Sequence, residues 1–288
     1  MKVSIIIPTY MNFVYLKFCI DSIIKNSKFD HEIIVHINGE DNLTENYLLK
    51  KKLLYTKSKE NIGLCSGVNL ASQKSTQSYI MYSHDDMYFL PGWDNHLINE
   101  INNLKTKFFY LSLTHISYMP MHKGGLQHIH FDCGKDLNDF NEKKLLDNYS
   151  AFKFRDLQGS HWAPHVVHKD LWNKIGGFSE EFNPGFASDP DLNMKLWNCG
   201  VRIFKGISKS RVYHFGSITT RKNKDIIRNN GKKTFLLKWQ ITVEFFVKHY
   251  LKRGTTYFSP LTEPNKSLIY YFDYLFSKIK YHYTKLFK

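Results

Sequence analysis

Cysteine is scarce in this 288-residue chain, and long apolar runs are absent from it. The four cysteines are Cys19, Cys65, Cys133 and Cys199. They lack the paired spacing of a zinc site or a disulfide framework, which predicts a reducing, cytoplasmic setting. No apolar run approaches the roughly 20 residues of a membrane helix, and the segment 1–8 is too short for a signal peptide. With 42% hydrophobic residues, we expect a soluble globular protein with a sizeable core.

Acidic residues are scarce in the last quarter of the chain. Residues 221–288 contain 15 Lys and Arg against 4 Asp and Glu, so they carry +11 of the net charge of +14. This change of composition predicts a domain over residues 1–220 and a basic, aromatic-rich helical extension over 221–288. Within the extension, Phe235, Trp239 and Tyr250 belong to a series at helical spacing. Such helices bind an anionic membrane surface, which would make the protein peripheral, or they pack on the domain or a partner subunit.

Predicted strands and helices alternate along the chain. The β-branched run 3–8 predicts a strand buried on both faces, and Leu16, Ile20 and Ile23 predict a helix after it. Further strands are predicted at residues 32–37, 79–82, 108–113, 202–204 and 211–213, and further helices at 61–71, 93–104, 169–175 and 191–199. The alternation predicts an α/β fold with a mainly parallel sheet flanked by helices, which binds ligands at the carboxyl ends of its strands.

Two adjacent carboxylates, Asp85 and Asp86, follow the predicted strand 79–82. Neighbouring carboxylates at the end of a buried strand are unfavourable unless a cation lies on them. Hard divalent cations such as Mn²⁺ and Mg²⁺ bind carboxylate oxygens and commonly share their coordination shell with substrate phosphates. The pair therefore indicates a metal–diphosphate enzyme, and the alternative is that the two aspartates cap the next helix.

Five segments follow one another between residues 3 and 220. They are Ser4-Ile5-Ile6-Ile7-Pro8-Thr9-Tyr10; Asn61-x-Gly63-x-x-x-Gly67-x-Asn69; Ser83-His84-Asp85 followed by Pro91-Gly92-Trp93; Gly176-Gly177-Phe178 followed by Asp189-Pro190-Asp191-Leu192; and Tyr213-His214-Phe215-Gly216-Ser217. In this order they resemble the family 2 glycosyltransferases, inverting enzymes of the GT-A fold that usually use Mn²⁺ or Mg²⁺. The resemblance implies a GT-A-like, Rossmann-like fold and a nucleotide-sugar donor, with a UDP-sugar as the first candidate.

The resemblance also implies roles for individual residues. Asp189 matches the general base that takes the proton of the acceptor hydroxyl, with Asp191 as the second candidate and helix capping as the alternative role. The implied metal ligands are Asp85, Asp86 and His214. The residues implied at the nucleotide are Pro8, Thr9, Tyr10, Asn38, Asn61, Gly63, Asn69, Ser83 and His84.

Three further residues are candidates because of their own chemistry. Trp162 could stack on a sugar ring of the acceptor near Asp189, or it packs in the core. Arg221 and Lys222 follow the segment of His214. A basic loop there could close over the diphosphate, and the alternative is a solvated linker.

Two departures of the chain from the family pattern bear on whether it is an active enzyme. Ser83 stands where the metal motif has its first Asp. Ile37 and Asn38 stand where many members have an Asp pair that holds the uracil ring. These departures favour an alternative function, that of a catalytically inactive, glycosyltransferase-like module that binds a nucleotide or a glycan.

The joint presence of Asp85, Asp189 and His214 favours an enzyme over such a module. We therefore predict an inverting, metal-dependent glycosyltransferase of the hexosyltransferase type. Its acceptor would be a glycan or a lipid-linked molecule, as in polysaccharide biosynthesis. Positive charge would also suit nucleic acid, but no nucleic-acid-binding module is recognised, so we expect no such partner.

Overall fold

The computed structural model describes residues 1–120, 128–159, 162–216 and 229–287. Its strands are β1 (Ser4–Thr9), β2 (Glu32–Ile37), β3 (Leu54–Lys57), β4 (Tyr79–Tyr82), β5 (Met87–Phe89), β6 (Phe109–Ser117), β7 (Ile129–His130), β8 (Leu157–Gln158), β9 (His165–His168) and β10 (Ile203–His214). Its helices are α1 (Phe13–Asn26), α2 (Asn42–Lys51), α3 (Leu64–Ser72), α4 (Trp93–Leu104), α5 (Glu142–Asn148), α6 (Lys169–Ile175), α7 (Ser188–Asn198), α8 (Gly231–Trp239), α9 (Val243–Phe245) and α10 (Leu268–Leu286). A π-helical turn, Phe246–Tyr250, continues α9.

The strands of these described residues form one ten-stranded sheet. The order is β3-β2-β1-β4-β9-β6-β10-β5, with β7 paired to β6 and β8 paired to β10. Pairing is parallel from β3 through β2 and β1 to β4, and again between β6 and β10. The strand β9 is antiparallel to both β4 and β6, and β5 is antiparallel to β10. The predicted α/β fold with a mainly parallel sheet and flanking helices is therefore confirmed.

Continuous apolar runs explain why β1 and β2 lie inside the sheet. Every residue of β1 is buried, including Ile5, Ile6 and Ile7, as is usual for a strand with both faces covered. The apolar side of α1 packs into the same core as these strands. The strands β1, β2 and β4 are parallel, so their carboxyl ends meet at one edge of the sheet. Thr9, Asn38 and the Asp85–Asp86 pair lie at that edge.

Several predicted boundaries were wrong. The two short strands predicted at 202–204 and 211–213 are one strand, β10, whose register with β6 shifts between Ile207 and Arg211. The polar residues at this irregularity interrupt the apolar pattern without interrupting the strand. The helix predicted from residue 191 is α7, which begins at Ser188 and so includes Asp189 in its first turn.

Part of the C-terminal segment packs into the core of the sheet domain. Phe235, Phe246 and Leu251 are buried in the same apolar cluster as β1 and α7. The helix α10 differs, because most of its apolar side chains are exposed. Across the described ranges, no helix is both long enough and apolar enough to cross a membrane. The division of the chain at residue 220 stays a prediction.

Candidate functional site

A cavity of about 230 Å³ lies at the carboxyl ends of β1, β2 and β4. This edge of a parallel sheet is where α/β folds bind ligands. The cavity brings together nine of the residues that the sequence singled out: Pro8, Thr9, Tyr10, Asn38, Asn61, His84, Asp85, Asp86 and Asp189. The rest of its lining is Leu64, Tyr82, Pro184, Gly185, Phe186 and Ser188.

Asp85 is buried and held from the β1 side. Thr9 Oγ1 donates a hydrogen bond of 2.7 Å to Asp85 Oδ2, and the side chain of Asn12 also bonds to this carboxylate. Burial, followed by the negative charge of Asp86, raises the pKa of the Asp85 carboxyl. Two buried carboxylates that disfavour each other's ionised form make a site that a cation would stabilise.

Asp86 lies between two histidines. One ligand atom each of His84, Asp86 and His214 can be chosen so that all three lie within 4.8 Å of one another. His214 Nε2 is 3.3 Å from Asp86 Oδ1, and His84 Nδ1 is 3.9 Å from the same oxygen. Burial lowers the pKa of His84 to about 4, so its imidazole is neutral and keeps a lone pair. The three side chains fit a divalent cation. His84 is one of them, although the sequence analysis had assigned this residue to the nucleotide.

Asp85 lies outside this group of three. It lines the same cavity as Asp86, but it is not one of the three residues whose ligand atoms lie within 4.8 Å of one another. His214, in turn, is outside the lining of the cavity and reaches the group from the end of β10.

Asp189 occupies the first turn of α7 and lines the cavity. Its Oδ1 atom is buried and has no hydrogen-bond partner within the described ranges. The imidazole of His165, on β9, is the neighbour that sequence reasoning missed, with Nε2 at 3.9 Å from that oxygen. Burial raises the pKa of the Asp189 carboxyl to about 7. A carboxyl that titrates near neutrality can accept a proton from a substrate.

Asp191 is in a different environment from Asp189. It is fully buried, and Ser179 Oγ donates a hydrogen bond of 2.6 Å to its Oδ2. Trp239 Nε1 donates one of 2.8 Å to Oδ1, and Lys238 Nζ lies 3.0 Å from that oxygen. These contacts connect α7 to α8. A carboxylate whose two oxygens are both engaged acts in packing more readily than in proton transfer.

The loop before α3 is shaped by Asn38, Gly63 and Asn183. Asn38 Oδ1 accepts a hydrogen bond of 3.1 Å from the backbone N–H of Ile62. Gly63 has φ +87°, and a Cβ atom there would lie 2.3 Å from Asn183 Oδ1. Asn183 in turn accepts a hydrogen bond from the backbone N–H of Cys65. Gly63 therefore allows close packing beside the cavity and need not contact a ligand.

The other predicted residues lie away from the cavity lining or outside the described ranges. Asn69 accepts from the backbone N–H of Phe178 and donates to its carbonyl, so it fixes that loop. Ser83 is fully buried, and its hydroxyl donates to the carbonyl of His84. Trp162 is half-buried and donates its indole N–H to the carbonyl of Leu113. Arg221 and Lys222 lie outside the residues that the structure describes.

Sequence comparison finds relatives over most of the chain. The family model described as glycosyl transferase family 2 matches residues 4–167. An uncharacterized glycosyltransferase of Rickettsia prowazekii (strain Madrid E) is 37% identical over 226 residues, which cover 77% of this chain and 67% of that protein. A second one, from Rickettsia typhi (strain ATCC VR-144 / Wilmington), is 37% identical over 237 residues with the same coverage.

Structure comparison finds the same fold at low sequence identity. S. aureus TarS 1-349 has a TM-score of 0.56 at 17% identity, over 74% of this chain and 60% of that chain. GalNAc-T7 with UDP, GalNAc and Mn²⁺ has a TM-score of 0.58 at 14% identity, over 84% of this chain and 48% of that chain. The chain thus spans less than two thirds of either neighbour, and at these identities the likeness concerns the fold.

Proposed function

Since the chain belongs to glycosyl transferase family 2, we propose that it transfers a sugar from a nucleoside diphosphate sugar to an acceptor hydroxyl. The GT-A-like fold expected from the sequence is confirmed by the structural neighbours. One observation carries the proposal: Asp189 lines the same cavity as Asp85 and Asp86. The candidate proton acceptor therefore lies near the two carboxylates, which are suited to bind a metal ion together with the diphosphate of the donor.

For the donor we propose a UDP-sugar. Structures of S. aureus TarS in complex with UDP and with UDP-GlcNAc, and that of GalNAc-T7 with UDP, support a uridine nucleotide for a chain of this fold. Asn38 lines the cavity of this chain, and its side-chain amide holds the backbone of Ile62 and Gly63, so we propose that Asn38 shapes the loop that borders the nucleotide. Thr9, Tyr10 and Asn61 line the same cavity and are proposed to contact the nucleotide.

In the proposed reaction, a carboxylate oxygen of Asp189 accepts the proton of the acceptor hydroxyl while the hydroxyl oxygen bonds to the anomeric carbon of the donor sugar. The bond from that carbon to the β-phosphate oxygen breaks, and the diphosphate leaves with the electron pair. Attack opposite the leaving group inverts the anomeric configuration. The free Oδ1 atom and the raised pKa of Asp189 support it as the base. Asp191 is the weaker candidate, since Ser179 and Trp239 occupy its oxygens.

For the cofactor we propose Mn²⁺ or Mg²⁺, held by Asp86 and His214 with His84 beside them. The buried Nε2 atom of His214 makes no hydrogen bond within the described ranges, which suits a nitrogen whose lone pair binds a cation. Asp85 adds negative charge next to the group. The ion would neutralise the charge that the diphosphate gains as it leaves. Arg221 and Lys222, outside the described residues, are still proposed to contact the diphosphate.

For the acceptor we propose a glycan or a lipid-linked molecule, met at an anionic membrane surface. The positive charge of residues 221–288, the C-terminal segment, supports this proposal, because an anionic surface attracts it. Trp162 is the residue proposed to stack on an acceptor sugar. Its ring lies 6.2 Å from that of His115, which lies 4.9 Å from the ring of His214, so it is near the candidate metal group.

Release of UDP tests the proposal. The full chain is incubated with Mn²⁺ and each of UDP-GlcNAc, UDP-GalNAc and UDP-glucose, and free UDP is measured with and without candidate glycan acceptors. We expect UDP to be released from one donor, faster with an acceptor, and Asp189→Asn to suppress release. Binding of a donor without any release, alike in the unmodified protein and in Asp189→Asn, would instead identify the inactive binding module.

A further inference from the structure

The helix α10 is attached to the protein by one face. Tyr270 and Ser277 are its buried residues, and the ring of Tyr270 lies 5.1 Å from that of Phe245. Asp273 accepts a hydrogen bond of 2.6 Å from Lys248 Nζ and lies 2.7 Å from the imidazole of His249. This attached face therefore carries polar and aromatic contacts to α9 and the turn after it.

The opposite face of α10 is apolar and exposed. At a helical step of about 100° per residue, six large apolar side chains fall within an arc of about 100° that points away from Ser277. They are Leu268, Phe272, Leu275, Phe276, Ile279 and Leu286. Their exposed fractions range from 59% to 86%. A contiguous apolar surface of this kind marks an interaction site, since scattered single residues would not line up along one face.

Lysines flank this apolar face on both sides. Lys278 and Lys285 follow one edge of it, and Lys280 follows the other. The acidic residue of α10, Asp273, lies toward the attached face, where it forms an ion pair with Lys248 and contacts the imidazole of His249. The rim is therefore cationic.

We infer that α10 is the element by which this protein docks on an anionic phospholipid surface. A helix with an aromatic, apolar face and a lysine rim lies in the plane of such a surface, with its lysines at the headgroups. The +11 charge of residues 221–288 acts in the same direction. The inference rests on the membrane surface in the proposed function and deepens it by naming the element that docks, although docking itself requires neither donor nor metal.

A second copy of the chain is the other occupant to consider. The spacing of Leu268, Leu275 and Ile279 would allow two α10 helices to pair. Such pairing would bring the lysine rims of both α10 helices together, while the carboxylate of α10, Asp273, lies toward the attached face, so like charges would face each other, which is unfavourable. An anionic bilayer supplies the negative charge that the rim lacks, so the charges favour the lipid surface.

Vesicle flotation of the full chain tests the inference. The vesicles contain either phosphatidylcholine alone or equal parts of phosphatidylcholine and phosphatidylglycerol. The test variant is Phe272→Glu/Ile279→Glu. The matched control is Leu43→Glu/Leu49→Glu on α2, whose two leucines are 68% and 56% exposed. Circular dichroism and UDP binding establish that each variant is folded, and light scattering gives the oligomeric state.

We expect the unmodified chain and the control to float with the anionic vesicles and not with phosphatidylcholine alone. The test variant should bind at least about tenfold more weakly. Raising the salt to about 1 M, where the Debye length is about 3 Å, should weaken binding of the unmodified chain. The inference is overturned if the unmodified chain fails to float at low salt, if the test variant floats as well as the control, or if light scattering finds a dimer that the test variant dissociates and no vesicle binding. UDP binding that persists in any of these cases would leave the proposed sugar transfer intact and remove only the membrane surface proposed for its acceptor.

Discussion

Trp239 donates a hydrogen bond of 2.8 Å from its indole Nε1 to the carboxylate of Asp191. Lys238 Nζ lies 3.0 Å from the same oxygen atom. Asp191 is two residues after Asp189 in α7, whereas Lys238 and Trp239 belong to α8 in the C-terminal segment. The C-terminal segment, whose helix α10 is the element we infer to dock on a lipid surface, is thus attached through α8 to the helix that carries the proposed base.

Lys238→Met should lower the free energy of unfolding by about 2–4 kcal/mol, because it removes the ammonium group that lies 3.0 Å from the fully buried carboxylate of Asp191. The matched control is Lys232→Met, which breaks an exposed pair with Glu244 and should change stability by at most about 1 kcal/mol. Urea unfolding followed by tryptophan fluorescence measures both changes. Equal effects of the two substitutions would contradict a stabilising role for the Lys238–Asp191 contact.

Asp189→Asn should stabilise the metal-free protein at pH 8. Burial raises the pKa of Asp189 to about 7 in the folded state, above the ordinary value of 3.8 that applies when the chain is unfolded. The folded state therefore binds the proton more tightly, and the ionised carboxyl lowers stability as the pH rises through 7. We expect a gain of about 2–4 kcal/mol at pH 8 that shrinks toward zero near pH 4.

Urea unfolding of the unmodified protein and the variant across this pH range measures the difference. An Asp189→Asn variant that is less stable than the unmodified protein at pH 8, with a deficit that shrinks as the pH falls, would mean that the Asp189 carboxylate is favourably paired in the folded state, which would count against it as a free base.

Asp86→Asn should reduce Mn²⁺ affinity, in the presence of UDP, by at least about 100-fold, because it removes the charged ligand of the candidate metal group. His214→Gln should weaken binding less, since a neutral imidazole carries no charge. Asp147→Asn is the control, because Asp147 is an exposed carboxylate paired with Lys143. Titration calorimetry measures all three. Unchanged Mn²⁺ affinity in Asp86→Asn would show that the ion binds elsewhere than at His84, Asp86 and His214.

The cavity could be predicted because its polar residues follow strands that the sequence pattern reveals. The runs before Thr9, Asn38 and Asp85 are short, apolar and rich in β-branched or aromatic residues. Strands of this kind, alternating with helices, pair in parallel, and parallel strands end at one edge. Residues far apart in the chain can then be assigned to one site without any knowledge of side-chain positions.

The surroundings of Asp191 could not be predicted in this way. Trp239 lies 48 positions after Asp191, and their contact depends on how α8 packs against α7. No local pattern encodes that packing, so Asp189 and Asp191 remained alternative bases until their neighbours were known. His84 is similar, because the direction of its side chain toward Asp86 and His214 depends on the loop conformation after β4.

Transfer by the Asp189→Asn variant tests the central claim most directly. The affinity for the donor is measured first, by calorimetry with Mn²⁺, and the rate of UDP release in the presence of an acceptor second. Asp191→Asn is the comparison, because its carboxylate packs against α8 and should affect stability more than the chemical step. We predict that Asp189→Asn binds the donor as the unmodified protein does and transfers about 10²–10⁴-fold more slowly. Full transfer activity in Asp189→Asn, or its loss in Asp191→Asn alone with the fold intact, would contradict the account.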